Sequence, residues 1–155
     1  MTVTQVEQGP RRVARTVEVP ASADDVFALV ADPHRHGELD GSGTVRDTVS
    51  GPRRLTQGAR FSVAMKQFGV GYRITSTVTR FEDGRVVEWR HPAGHRWRWE
   101  MTQLTPTSTR VTETFDYSTV PAMQGKVLEL LGVPRKNAAG IEATLCQLAA
   151  RYAGA

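Results

Sequence analysis

Val13, Val17 and Val19 fall on one parity within residues 11–19 (RRVARTVEV), and the segment reads as a β-strand. Pro20 and Ser22 then open a helix: Ser22 is placed to cap it, Asp24 and Asp25 suit its positive end, and Val26, Phe27, Leu29 and Val30 form an apolar face. Pro33 ends it, and a second short helix or tight loop over His34–Asp40 closes at Gly41-Ser42-Gly43. From there the period becomes that of strands, at 44–50, 58–66, 70–81, 85–91, 95–104 and 109–118. The breaks carry turn chemistry at Gly51-Pro52, Asp83-Gly84, Pro92-Ala93-Gly94 and Thr105-Pro106, and such short links pair neighbours antiparallel. The period returns to helical at 122–132 and 136–153, with an interruption at Pro134, and Ile141, Leu145, Leu148 and Tyr152 mark a buried face.

Strand, helix, short helix, six strands and a long C-terminal helix make an α+β domain, one sheet face of which must be buried. The turns sort the side chains by face. A two-residue turn centred on Asp83-Gly84 pairs Phe81 with Val86, Val78 with Trp89 and Ser76 with His91. A three-residue loop at Pro92-Ala93-Gly94 pairs His91 with His95, Trp89 with Trp97 and Val87 with Trp99. Both place the same residues of 85–91 inside. The inner face then holds Phe61, Val63, Met65, Tyr72, Ile74, Val78, Val87, Trp89, Trp97, Trp99, Met101, Val111, Phe115 and Tyr117. The outer face is polar, including Arg73, Thr79, Arg90, Arg96, Arg98, Glu100, Thr114 and Asp116, with Glu88 opposite Arg98 as an exposed cross-strand pair.

The chain has 155 residues and a formal net charge of +4, which fits one domain spanning 1–155, with residues 1–10 expected to be flexible. A single cysteine, Cys146, excludes an internal disulfide framework and a cysteine-based zinc site; a buried, inert thiol is expected. No apolar run is long enough to span a bilayer, and the polar N-terminus is no secretory signal, so a cytoplasmic domain, monomeric or homodimeric, is expected. The positive balance raises nucleic acid or an anionic membrane as partners. In His95-Arg96-Trp97-Arg98-Trp99, however, arginines and tryptophans point to opposite sheet faces, whereas base stacking needs both on one. Nucleic acid is therefore not an expected partner.

The segments VPASADDVFALVADPHRHGELDGSG, GARFSV, RVVEWRH, TRVTETFDY and IEATLCQLAARY, in this order over about residues 11–153, resemble the START-like (SRPBCC) superfamily, in particular its bacterial polyketide cyclase/dehydrase and lipid-transport-like group. The resemblance implies a helix-grip fold: a seven-stranded antiparallel sheet wrapped around a long C-terminal helix, with two short helices after the first strand. It also implies an internal cavity for a small hydrophobic molecule such as a lipid, sterol or aromatic polyketide. Members often carry a tryptophan after the first helix; Leu39 stands there in this chain, with Gly37 where proline is common.

The expected ligand-lining residues are Phe61, Val63, Met65, Tyr72, Ile74, Val78, Trp89, Trp97, Trp99, Met101, Phe115 and Leu145. The tryptophans serve equally as plain core, since each aromatic buries much area. Ser76, His91 and His95 form a polar row beside Phe61, inert if hydrated at the sheet end. Glu113 shares parity with Val111 and Phe115 and is costly inside unless paired; Arg15 on the first strand is the candidate partner. If the protein is an enzyme, Glu113, His91, His95 and Tyr117 are the candidate acids and bases. His34, His36, Glu38 and Asp40 sit where the family's cavity mouth lies, as ligand contacts or as a solvated turn. Gly69 and Gly71 precede no helix and form no phosphate cradle; they suit a tight or mobile lid. No metal or cofactor is expected. A third reading, a protein-interaction or co-chaperone module, predicts a large exposed apolar patch.

Overall fold

A computed structural model of the chain describes residues 2–39 and 45–154. Asp40, the Gly41-Ser42-Gly43 closure and the first residue of the 44–50 strand lie outside them. The strands are β1 (Thr4–Val6), β2 (Arg12–Val19), β3 (Val45–Ser50), β4 (Arg60–Gln67), β5 (Val70–Glu82), β6 (Val86–Arg90), β7 (Arg96–Thr105) and β8 (Ser108–Asp116). The helices are α1 (Ala23–Val30), α2 (His36–Leu39), α3 (Ala122–Leu130) and α4 (Val133–Ala153), with a 3-10 turn at Pro33–Arg35 leading into α2.

All strands join one antiparallel sheet in the order β1-β2-β8-β7-β6-β5-β4-β3. Among the described residues that is eight strands where seven are expected; the additional one, β1, pairs Gln5 with Arg15 on β2 and lies in the segment expected to be flexible. The long α4 packs chiefly on β2, with fewer contacts to β8, α3 and α2. Ile141, Thr144, Leu145, Leu148 and Ala149 form its buried face, and Ser22 caps α1 by accepting the Asp25 N–H at 3.2 Å. Pro134 does not interrupt a helix. It sits in the first turn of α4, where its missing N–H costs nothing. The break between α3 and α4 falls at Gly132, held at φ 72°.

The β6–β7 loop gives the expected register, with Trp89 facing Trp97 and Val87 facing Trp99. The β5–β6 turn does not. Glu82 pairs with Val86, so Asp83-Gly84-Arg85 is a three-residue loop, closed by the Arg85 N–H on the Glu82 carbonyl, with Gly84 at φ 76°. Phe81 therefore faces Val87, not Val86. A bulge between Val78 and Arg80 absorbs the extra residue and restores the Val78–Trp89 pair. The two offsets cancel, which is why the inner face still comes out as expected beyond the bulge.

Two features of the faces differ from expectation. Tyr72 has inner parity but is 39% exposed, because β5 outruns β6 and its first residues pair with β4 alone. On the outer face Glu88 is buried, not exposed, as are Thr114 and Asp116. Glu88 accepts from the Thr79 hydroxyl at 2.9 Å and pairs with Arg96 and Arg98 at 3.4 and 3.3 Å. Long arginine stems lying over the central strands cover it.

The alternation of strand direction sorts the connections between two sheet ends. The β4–β5 turn, the β6–β7 loop and the link from β8 into α3 share one end. The β5–β6 and β7–β8 turns and the start of α1 share the other.

Candidate ligand-binding face

One row of the inner face runs in register across the sheet: Val13 on β2, Phe115 on β8, Trp97 on β7, Trp89 on β6 and Val78 on β5. Trp89 and Trp97 are only half-buried, while Phe115 and Val78 are fully buried. Trp97 meets Phe115 with ring centroids 5.1 Å apart, and Phe115 stacks on Tyr117 at 5.5 Å. At the other end of the row Phe61 lies edge-on to Trp89 at 5.4 Å. Strand alternation puts these rings on one side; α4 sits on β2, Phe27 of α1 meets Phe81 of β5 at 5.5 Å, and α2 reaches Trp89 and Phe61 through His36.

His36 of α2 supplies the surface that covers Trp89. Its ring stacks on the indole at 5.1 Å and meets Phe61 edge-on at 5.6 Å. Its Nε2 donates to the Val30 carbonyl at 2.8 Å, which fixes the neutral ring with its proton on Nε2 and leaves Nδ1 as an acceptor. Burial holds its pKa below the ordinary value, against the pull of that carbonyl. The sequence pattern groups His36 with the polar mouth residues. The usable signal is its spacing three residues before Leu39, which is buried, so both share a helix face. The neighbouring side chains serve as ties. His34 Nε2 donates to the Gly51 carbonyl at 2.8 Å, and Glu38 bridges Arg35 and Arg151 at 3.1 and 3.0 Å, joining α2 to α4.

His91 and His95 stack at 4.2 Å across the β6–β7 loop, and His95 lies 5.2 Å from Phe115. His91 Nδ1 accepts the Ala93 N–H at 2.9 Å. Burial lowers the His91 pKa, and burial together with the adjacent His91 pushes His95 down to about 4. Both rings are therefore neutral at pH 7 and act as hydrogen-bonding groups or weak bases, not as acids. Ser76 is buried opposite Phe61. Glu113 is 7% exposed, in register with Trp99 and Arg15. Arg15 reaches over to Glu142 of α4 at 2.8 Å, tying the helix to β2. Tyr117 donates its hydroxyl to Glu129 of α3 at 2.9 Å; burial and that carboxylate raise its pKa.

Of the expected lining residues, Phe61, Val63, Val78, Trp99, Met101, Phe115 and Leu145 are buried in one core, with Met65, Trp89 and Trp97 partly buried against it. Ile74 is half-buried, and Tyr72 stands apart toward the β4–β5 turn. Cys146 is exposed on α4, not buried: it lies on the solvent side of Leu145 and Leu148. Among the described residues no group of three or more His, Cys, Asp and Glu is placed to hold a metal, and no helix is long and apolar enough to cross a membrane. Two surface concavities, of about 270 and 420 Å³, lie beside β1–β2, where Val13 lines the first, and beside the β5–β6 turn, where Met101 lines the second; Phe61, Trp89 and Trp97 line neither.

Residues 10–153 match the model of the family described as polyketide cyclase / dehydrase and lipid transport. An uncharacterized protein of Mycobacterium tuberculosis is 57% identical over 155 residues, covering 99% of this chain and 69% of the relative. Among solved structures, a START superfamily protein of Mycobacterium smegmatis superposes with a TM-score of 0.67 at 17% identity, over 91% of this chain and 96% of the other. The Zhui aromatase/cyclase of a Streptomyces species gives 0.63 at 20% identity, over 91% and 94%.

Proposed function

The chain belongs to the polyketide cyclase / dehydrase and lipid transport family of the START-like superfamily, and from that premise we propose that it holds a small hydrophobic molecule, a lipid, sterol or aromatic polyketide, against the Phe61–Trp89–Trp97 row. START-like proteins bind small hydrophobic molecules, so membership supports the class of ligand. The observation that carries the reading in this chain is the half-burial of Trp89 and Trp97 beside Phe115 and Val78, the fully buried members of the same row. Two large indoles left partly open beside neutral imidazoles offer a flat apolar wall with few polar groups, the composition of a small-molecule site.

Native mass spectrometry of freshly purified protein tests the reading directly, and titration with a fatty acid, a sterol and an aromatic polyketide tests it again through tryptophan emission. A co-purified hydrophobic molecule, or quenching by one of the three, is the expected result. No adduct and unchanged emission with all three would sink it.

A second reading, turnover of a polyketide-like substrate, is favoured by the stacked His91–His95 pair beside the row. Neutral rings there can accept a proton, as weak bases. Glu113 and Tyr117 are the other candidates, and the Tyr117 hydroxyl is already given to Glu129. This reading requires that His95→Phe retain ligand binding and lose turnover.

A further inference from the structure

We propose that the end of the molecule carrying α3 and the β4–β5 turn docks on an anionic phospholipid surface, with Phe68 and one stripe of α3 entering the headgroup boundary.

The turn carries the first half of the case. β4 and β5 are joined by two residues, Phe68 and Gly69, since Gln67 pairs with Val70. Both have positive φ, 53° and 76°. Glycine takes that conformation freely, whereas a bulky aromatic does so only at a cost. The Phe68 side chain is 94% exposed, so no packing offsets the cost. Val70 is 64% exposed beside it. The whole turn stands clear of the sheet body, because β5 pairs with β6 only from Thr77 onward. A hairpin that projects and presents an aromatic at its tip, with no folded-state partner, is shaped to place that ring in another medium.

α3 repeats the pattern at the same end. Met123, Val127, Leu130 and Leu131 are spaced along one helical face, and Met123 and Leu130 are 78% and 86% exposed. On the face turned to the protein Leu128 packs against the core. Gly125 is buried against the Arg11 guanidinium, and Glu129 bonds Tyr117 and pairs with Arg11 at 3.5 Å. α3 thus turns Leu128 inward and leaves Met123, Val127, Leu130 and Leu131 outward.

Charge selects the occupant. Residues 48–81 contain no Asp or Glu, and exposed Lys66 and Arg73 flank the turn. Lys126 lies within the α3 stripe, and Arg135 and Lys136 follow it, all exposed. In 117–141 the only acid is Glu129, and it is already paired. Separate apolar protrusions ringed by cations fit an anionic lipid surface, where basic side chains meet headgroups and aromatics sit at their depth. They fit a flat protein partner poorly, since a protein interface core is contiguous and depleted of charge. The inference is independent of the ligand reading, because an empty molecule with this surface docks equally.

The test is flotation of the full chain with vesicles of phosphatidylcholine alone and of phosphatidylcholine with phosphatidylglycerol. Flotation with the anionic vesicles at low salt, and its loss at high salt, is expected. Phe68→Ser and Leu130→Ser should each weaken it about tenfold. Lys126→Glu should weaken it about fivefold or more. Unchanged thermal unfolding of these variants shows that folding is intact, and Phe68→Trp should report a blue-shifted emission on anionic vesicles. The proposal is overturned if the chain does not float with anionic vesicles, or if the folded variants float as the parent does. It is also overturned if sedimentation shows a dimer that Phe68→Ser dissolves, which would assign the face to a second copy.

Discussion

His95 converts packing into a pH dependence. Its folded pKa of about 4 lies below the value of about 6.5 for an unfolded histidine, so between these limits the unfolded chain binds more protons. Stability is complete above pH 6.5 and declines as the pH falls toward 4, with the shifts of His36 and His91 acting in the same direction. His95→Phe keeps a ring against Phe115 and should flatten that decline by about 1–2 kcal/mol, after allowance for partial exposure; urea midpoints at pH 7 and 5 measure it. Asp116 acts lower in the scale. Burial alone would raise its pKa, but hydrogen bonds from Ser118 and Arg12 outweigh burial and hold it below the usual range. A second residue-scale prediction concerns Gly51. It sits at φ 135°, and a Cβ there would lie 2.8 Å from the Phe61 Cβ and 3.0 Å from the Arg60 carbonyl. Gly51→Ala should cost about 1–3 kcal/mol and displace Phe61 from Trp89, read as a lower melting temperature and altered tryptophan emission.

At the scale of elements the outer sheet face offers the sharpest test. Glu88 holds Thr79, Arg96 and Arg98 together, so Glu88→Ala leaves Arg96 without its carboxylate and Arg98 with Glu100 alone. A loss of about 1–3 kcal/mol in urea unfolding is expected, whereas an outlying pair such as Arg80–Glu82 should give less than about 1 kcal/mol. The pairing of Glu88 with Arg98 is legible from the β6–β7 loop, but its burial is not, because cover by arginine stems depends on sheet curvature. The β5–β6 turn shows a similar limit. Asp83-Gly84 announces a turn, but a two- and a three-residue loop share that signal, and only the bulge at Thr79 separates them in space. Periodicity does locate the aromatic row, because alternation is set by the backbone. It misses β1, whose three residues are too few to show a period, and it misreads Pro134, since proline both breaks and begins helices. His36 is placed at the mouth, but its stacking on Trp89 is missed because a short helix gives one turn of evidence.

For the molecule as a whole, a ligand seated on the aromatic row bridges the sheet and the elements above it, and binding should register as global stabilisation. At a free concentration one hundred times Kd the gain is about 2.7 kcal/mol, visible as a rise in Tm that Trp89→Ala abolishes. A Tm insensitive to any hydrophobic ligand that quenches emission would place that ligand elsewhere. The pairing of β2 with β8 has a further consequence, in time. Arg12 meets Asp116 and Val19 meets Thr109, so the ladder joins segments about one hundred residues apart. Closing so long a loop costs chain entropy before any contact repays it, and such sheets fold on the scale of about milliseconds to seconds. During synthesis β2 leaves the ribosome long before β8 exists. Until then its Val17 and Val19 have neither their strand partner nor α4 to cover them, and the nascent chain is most in need of a chaperone over that interval.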